Sequence, residues 1–180
     1  MKIHRRASVA GVLAIGMVAL SGCAHRWERP VRDDGTYCYA LGKARNGVCT
    51  VQSVPSIEAD QRAKLFQPND QVFTLYVVRH RWADASKRLP VTIDTAAELM
   101  TVPESMIRVR LSPGSHRVSM AWEGQSKVAT VEGRAGEVRF IQLAISAWSW
   151  GSTGQWDVSN GEDARARALK SRMVADVDLR

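Results

Sequence analysis

MIRVRLSPGSHRVSMAW, residues 106–122, decides the fold class of this chain. Ile107, Val109 and Leu111 alternate with Arg108 and Arg110, the period of two that sends successive side chains to opposite faces of a strand. Pro113-Gly114 turns the chain, and His116, Val118, Met120 and Trp122 then share one face of a returning strand. The pattern predicts a β-hairpin with one buried side.

The same texture extends in both directions. VFTLYVVR, residues 72–79, is apolar on both faces and rich in branched and aromatic residues, as a central strand should be. Pro90 to Asp94 reads as a second short strand, and Val128 and Val131 lie in another. Arg134-Ala135-Gly136 makes a turn, and EVRFIQLAISAWSW, residues 137–150, is the longest strand, with Ile141, Leu143 and Ile145 on its core face. GSTG, residues 151–154, reads as a flexible turn, because it lacks the lysine and the following helix of a phosphate-binding loop. EDARARALKSRM, residues 162–173, predicts a short helix with acids at its start and bases at its end. Ser56 caps an earlier helix over IEADQRAKLF, with Ala59, Ala63 and Phe66 on one face and Pro68-Asn69-Asp70 as its stop. Strands at these intervals predict a mainly β domain over residues 56–180, a small antiparallel β-sandwich with short flanking helices.

The first 22 residues have a different character. Lys2, Arg5 and Arg6 precede an uncharged apolar run from Ala7 to Leu20. A membrane span needs about 20 apolar residues, a signal-peptide core only roughly 7–15, so a secretory leader is expected. Leu20-Ser21-Gly22-Cys23 closely resembles the lipobox of bacterial lipoproteins, which implies that Cys23 carries a diacylglyceryl group and becomes the mature N-terminus. Two or three acyl chains, at about 0.8 kcal/mol per buried CH₂, anchor a protein stably. Ala24 stands where the lipoprotein sorting pattern has aspartate for inner-membrane retention, so an outer-membrane, periplasm-facing location is expected. Residues 23–36 form the lipidated tether.

The chain has 25 Lys and Arg against 18 Asp and Glu; without the three leader bases the net charge falls from +7 to +4. That excess is modest, and export removes nucleic acid as a partner. Lipid on Cys23 leaves Cys38 and Cys49, in a compartment that permits disulfides, and these are paired. They enclose Gly42 and the turn-prone Asn46-Gly47, giving a small hairpin-like cysteine loop over residues 37–55.

No HExxH, GxSxG, GxxxxGK[ST] or GxGxxG occurs. His80 and His116 have no spacing to Asp84 or Asp94 that supports a catalytic group, and a histidine opening a strand is read as a structural hydrogen-bonding residue. The chain is therefore read as non-enzymatic, with no metal and no cofactor beyond the lipid on Cys23.

Aromatic residues carry the functional signal. Trp148, Trp150 and Trp156 fall within nine residues of a chain with six tryptophans. Alternation along the last strand places Trp148 and Trp150 opposite the core face, beside Gln142, Ala144 and Ser146. Two readings stand: the indoles form a binding surface, or the C-terminal helix, through Leu169 and Met173, covers them. Arg79, Arg81 and Trp82 form a weaker candidate binding patch.

The helix ending in AKLFQP, the strand LYVVR, the segment LSPGSHRV and the turn GRAGEVRFIQL together resemble the bacterial lipoproteins that carry domain of unknown function 2846. The likeness covers about residues 58 to 145 and rests most on Pro113-Gly114 followed by His116. It departs at Thr95-Ala96-Ala97, where the family has a glycine turn, and in WSWGSTGQW, residues 148–156. The resemblance implies a sandwich-like β domain in the cell envelope and no established activity. The expected function is a non-catalytic interaction or scaffolding module with an envelope protein as partner. The alternative is a glycan- or peptidoglycan-binding lipoprotein that uses the tryptophan-rich segment.

Overall fold

A computed structural model describes residues 31–39, 47–80, 87–96, 98–148 and 151–180. The leader, Cys23, Arg81, Trp82 and Trp150 lie outside the described residues, as does the side chain of Trp148. In chain order the elements are β1 (Cys38–Tyr39), β2 (Val48–Cys49), α1 (Ile57–Ala63), β3 (Phe73–Arg79), β4 (Leu89–Ile93), β5 (Leu99–Thr101), β6 (Ser105–Leu111) and β7 (Gly114–Trp122). They continue with β8 (Gln125–Gly133), β9 (Val138–Trp148), β10 (Gly151–Asp157), α2 (Gly161–Ala168) and β11 (Arg172–Asp178). The protein is mainly β, a sandwich of a five-stranded sheet ordered β10-β9-β3-β6-β11 and a four-stranded sheet ordered β5-β4-β7-β8. Most neighbours run antiparallel, but β3 with β9 and β6 with β11 run parallel.

Strand β3 holds the centre of the larger sheet, and all seven of its residues are buried, as its two-sided apolar composition requires. One of its faces, Phe73, Leu75 and Val77, joins Ile107, Val109 and Leu111 of β6 and Leu143 and Ile145 of β9. These meet Val91 and Ile93 of β4, Val118, Met120 and Trp122 of β7 and Val131 of β8 in one continuous core between the sheets. The opposite face carries Tyr76, Val78, Met106 and Phe140, covered by Ala63 of α1, Phe66 just beyond it and Ala164 and Ala168 of α2. Tyr76 and Phe140 stack at 5.0 Å, and Phe66 stands edge-on to both at 5.1 and 4.8 Å. The helices thus form a third layer.

The deciding stretch does form two strands, but not a hairpin. β6 pairs with β3 and β11, whereas β7 pairs with β4 and β8 in the other sheet. Pro113 has no N–H for a ladder, and Gly114 adopts φ 146°, so the two residues make a corner between sheets. Alternation reads the same in both arrangements, because the apolar faces of β6 and β7 pack against each other across the sandwich instead of side by side. The true hairpin follows, with Glu123 (φ 48°) and Gly124 (φ 75°) joining β7 to β8 through the two-residue left-handed turn that suits strand twist.

Two other expectations are corrected. GSTG is no turn: Gly151–Asp157 is the edge strand β10, paired along its length with β9. The C-terminal helix ends at Ala168, and Arg172–Asp178, including Met173, is strand β11. Its Asp176 and Asp178 lie opposite Arg108 and Arg110 of β6, and Arg108 binds Asp176 in a fork at 2.9 and 2.5 Å. Leu169 is half exposed at 50%, and α2 lies against β9 and β3 through its alanines.

The disulfide joins Cys38 and Cys49, which face each other in the β1–β2 ribbon. This segment packs onto the domain. Tyr37 is fully buried in the main core, and Val48 and Val54 lie against it. Ser56 caps α1 by accepting a hydrogen bond from the Ala59 N–H.

Candidate functional site

The register of β9 with β10 builds a polar cleft. Ser146 pairs with Thr153, Ala144 with Gln155 and Gln142 with Asp157, and residues directly opposite each other share a face. The intervening Leu143 and Ile145 point to the core, where Gly154 lies against Met120 and Trp122 of the other sheet. The outer face is therefore left to amides and hydroxyls. His80, just past β3, and Arg167 of α2 complete a cleft of about 260 Å³ lined also by Gln142, Ala144, Ile145, Ser146, Thr153 and Gln155.

Two features define its chemistry. The Gln142 side chain is buried, with 8% of the residue exposed, and its Oε1 has no hydrogen-bond partner among the described residues. A buried orphan acceptor of this kind costs about 1–3 kcal/mol. No carboxylate lines the cleft among the described residues. Asp157 shares the sheet face, but its Oδ1 is taken up by Ser159 and Asn160 at the turn before α2, and these bonds hold its carboxyl below the usual range. Arg167 supplies a positive group, held through Nε by Asp163 at 2.7 Å.

Of the residues singled out from sequence, Trp148 lies on β9 two positions after Ser146, opposite Gly151. Trp156 is half-buried against the core, and its indole N–H donates to the Lys127 carbonyl at 3.0 Å, bridging the edges of β10 and β8. Arg79 is fully buried, donating to the carbonyls of Thr101 at 2.9 Å and Lys87 at 2.8 Å, so it ties β3 to β5 and the approach to β4 and is not a surface group. Gln142, Ala144 and Ser146 were legible as the outer face of a strand. Thr153 and Gln155 were not, since they arrive through the pairing of a strand that its own sequence does not announce, and His80 and Arg167 come to the cleft only through the packing of the end of β3 and of α2 beside β9.

His116 and Asp94 do come together, with Nδ1 2.8 Å from Asp94 Oδ2. Nε2 lies 2.8 Å from the Ser112 carbonyl, and the ring stacks on Phe73 at 6.0 Å. Both ring nitrogens are thus engaged within the protein. Burial pushes the Asp94 carboxyl up, but hydrogen bonds from His116 and the Arg117 N–H outweigh it and hold the group below its ordinary value. The pair is a latch between β4 and the corner that leads into β7.

No group of three or more metal-ligating side chains gathers among the described residues, and no helix there is long and apolar enough to cross a membrane. No family model and no curated protein matches the chain. Among solved structures, an NMR structure of a protein from Eubacterium rectale is similar over 51% of this chain and 92% of that one, with 16% sequence identity and a TM-score of 0.31. At that level of superposition, neither fold nor function is drawn from it.

Proposed function

We propose that the protein is a non-catalytic binding module of the bacterial envelope, lipidated at Cys23 and held at the outer membrane facing the periplasm. The charged start, apolar core and lipobox of residues 1–23 support the anchor, and the likeness of residues 58 to 145 to the domain of unknown function 2846 lipoproteins supports the location. The observation that carries the binding role is the outer-face cleft, which amides and hydroxyls line and no carboxylate lines among the described residues. Such a lining grips a ligand; cleavage of a glycan needs two flanking carboxylates.

In this reading the module interacts with an envelope protein or scaffold. A second reading, a cell-wall or surface glycan as the bound partner, is favoured by the neutral hydrogen-bonding groups of the cleft on the strand that ends in Trp148. In-cell crosslinking of the lipidated protein, followed by identification of adducts, tests both. A discrete protein or glycan adduct is expected. It should be lost in Cys23→Ala, which should also lose fatty-acid labelling and remain an unprocessed precursor. Full labelling of Cys23→Ala, or the absence of any adduct, contradicts the proposal.

A further inference from the structure

We infer that the cleft between β9, β10 and α2 is a site for a single acetamido sugar ring, with an acid-bearing ring preferred over a neutral one. This rests on the reading of the protein as a binding module and names the ligand of its cleft.

Size limits the ligand first. At about 260 Å³ the cleft falls below the roughly 300–1,000 Å³ usual for drug-sized ligands, so it suits one ring and not a run of several. The hydrogen-bonding groups then select chemistry. Gln155, exposed on the β10 wall, presents a carbonyl and an NH₂, the complement of an acetamido group, which has one acceptor and one donor, and the Gln142 amide lies on the neighbouring strand. The Gln142 amide, short of one hydrogen bond at Oε1 among the described residues, gains from turning toward an N–H or O–H of the ligand. Ser146 and Thr153 face each other across the strand pair and both donate and accept, as ring hydroxyls do. Ala144, between Gln142 and Ser146 on the same face, leaves room for a methyl group or the apolar side of a ring.

Charge sets the preference. Arg167 stands at the margin and no carboxylate lines the cleft among the described residues. A ligand ammonium would therefore find no lining carboxylate to pair with, while a ligand carboxylate gains a charge-assisted hydrogen bond from the part of the guanidinium that Asp163 does not hold. An acetylated amino sugar is accepted and the free amine is not.

The test uses full-length lipidated protein in detergent micelles, titrated with N-acetylglucosamine, N-acetylmuramic acid and glucosamine, with binding read by saturation-transfer NMR. The two acetylated sugars should bind at one site, the acidic one more tightly, and glucosamine should not compete. Gln142→Ala and Ser146→Ala should each weaken binding about tenfold, as expected for a hydrogen bond lost from a buried site, in protein that circular dichroism shows to be folded. Arg167→Gln should abolish the preference for the acid. Failure of both acetylated sugars to bind, equal binding of glucosamine, or binding indifferent to both Gln142→Ala and Ser146→Ala overturns the inference. A protein adduct at the cleft without sugar binding also overturns it but leaves the binding-module reading standing; the absence of both sugar binding and any adduct defeats the two together.

Discussion

The ring of Phe73 occupies the space that a side chain on Gly133 would need: a Cβ there would lie 2.1 Å from the ring's Cγ. Phe73 is fully buried between the sheets and stacked on His116, so it has nowhere to retreat. Gly133→Ala should cost about 3 kcal/mol or more, the upper range for overpacking a closed core. Gly154→Ala should cost about 1 kcal/mol, because its nearest neighbours stand at 3.0–3.2 Å and include the flexible end of Met120. Denaturant midpoints of the two variants will check the order, and a Gly133→Ala protein as stable as wild type would refute the packing.

Reduction of the disulfide should loosen more than a surface loop, since Tyr37, next to Cys38, is part of the main core. Cys49→Ser is expected to lower stability by about 3 kcal/mol, the chain-entropy value for a loop of this size. Mass spectrometry of unreduced envelope protein should find the Cys38 and Cys49 peptides linked, with no free thiol at either.

Acid should weaken the β6–β11 edge. Burial pushes the Asp176 carboxyl up, but its fork with Arg108 and the charges of Arg108 and Arg110 outweigh that and hold it below the usual range. An unfolded aspartate titrates at about 3.9, so this contribution is complete above that value and disappears as pH falls through the lower folded one. Melting temperature measured from pH 6 to pH 2 should fall most steeply below about pH 4. Asp176→Asn should flatten that part of the curve and lower stability at pH 7 by about 2 kcal/mol.

Arg79→Ala should destabilise by about 3 kcal/mol or more, because it leaves the Thr101 and Lys87 carbonyls without their guanidinium donor inside the protein. Thermal unfolding will show whether Arg79 is structural. A variant of unchanged stability would restore the residue to the list of surface groups.

Much of the sandwich was legible because burial imposes period two on strands. β3 declared itself by branched apolar residues on both faces, and β9 by Ile141, Leu143 and Ile145. What stayed hidden was set by distant partners. Gly151-Ser152-Thr153-Gly154 has little strand propensity, yet it is extended because Gly154 lets Met120 and Trp122 of the other sheet close against it. Arg172 and Met173 read as the tail of a helix, but they open strand β11, whose aspartates meet Arg108 and Arg110, 68 positions away for the Arg108–Asp176 pair. The cleft was half legible for the same reason: β9 supplied its part of the lining by alternation, while Thr153 and Gln155 of β10 came by register and His80 and Arg167 by packing.

The role of the cleft is tested most directly by a photo-crosslinking residue placed at Thr153, exposed on the β10 wall, and in parallel at Val51, 63% exposed on the connection between the β1–β2 ribbon and α1. In living cells, Thr153 should give a discrete adduct that Gln142→Ala diminishes, and Val51 should give none. Equal labelling from both positions, or no adduct from Thr153, would contradict binding at the cleft.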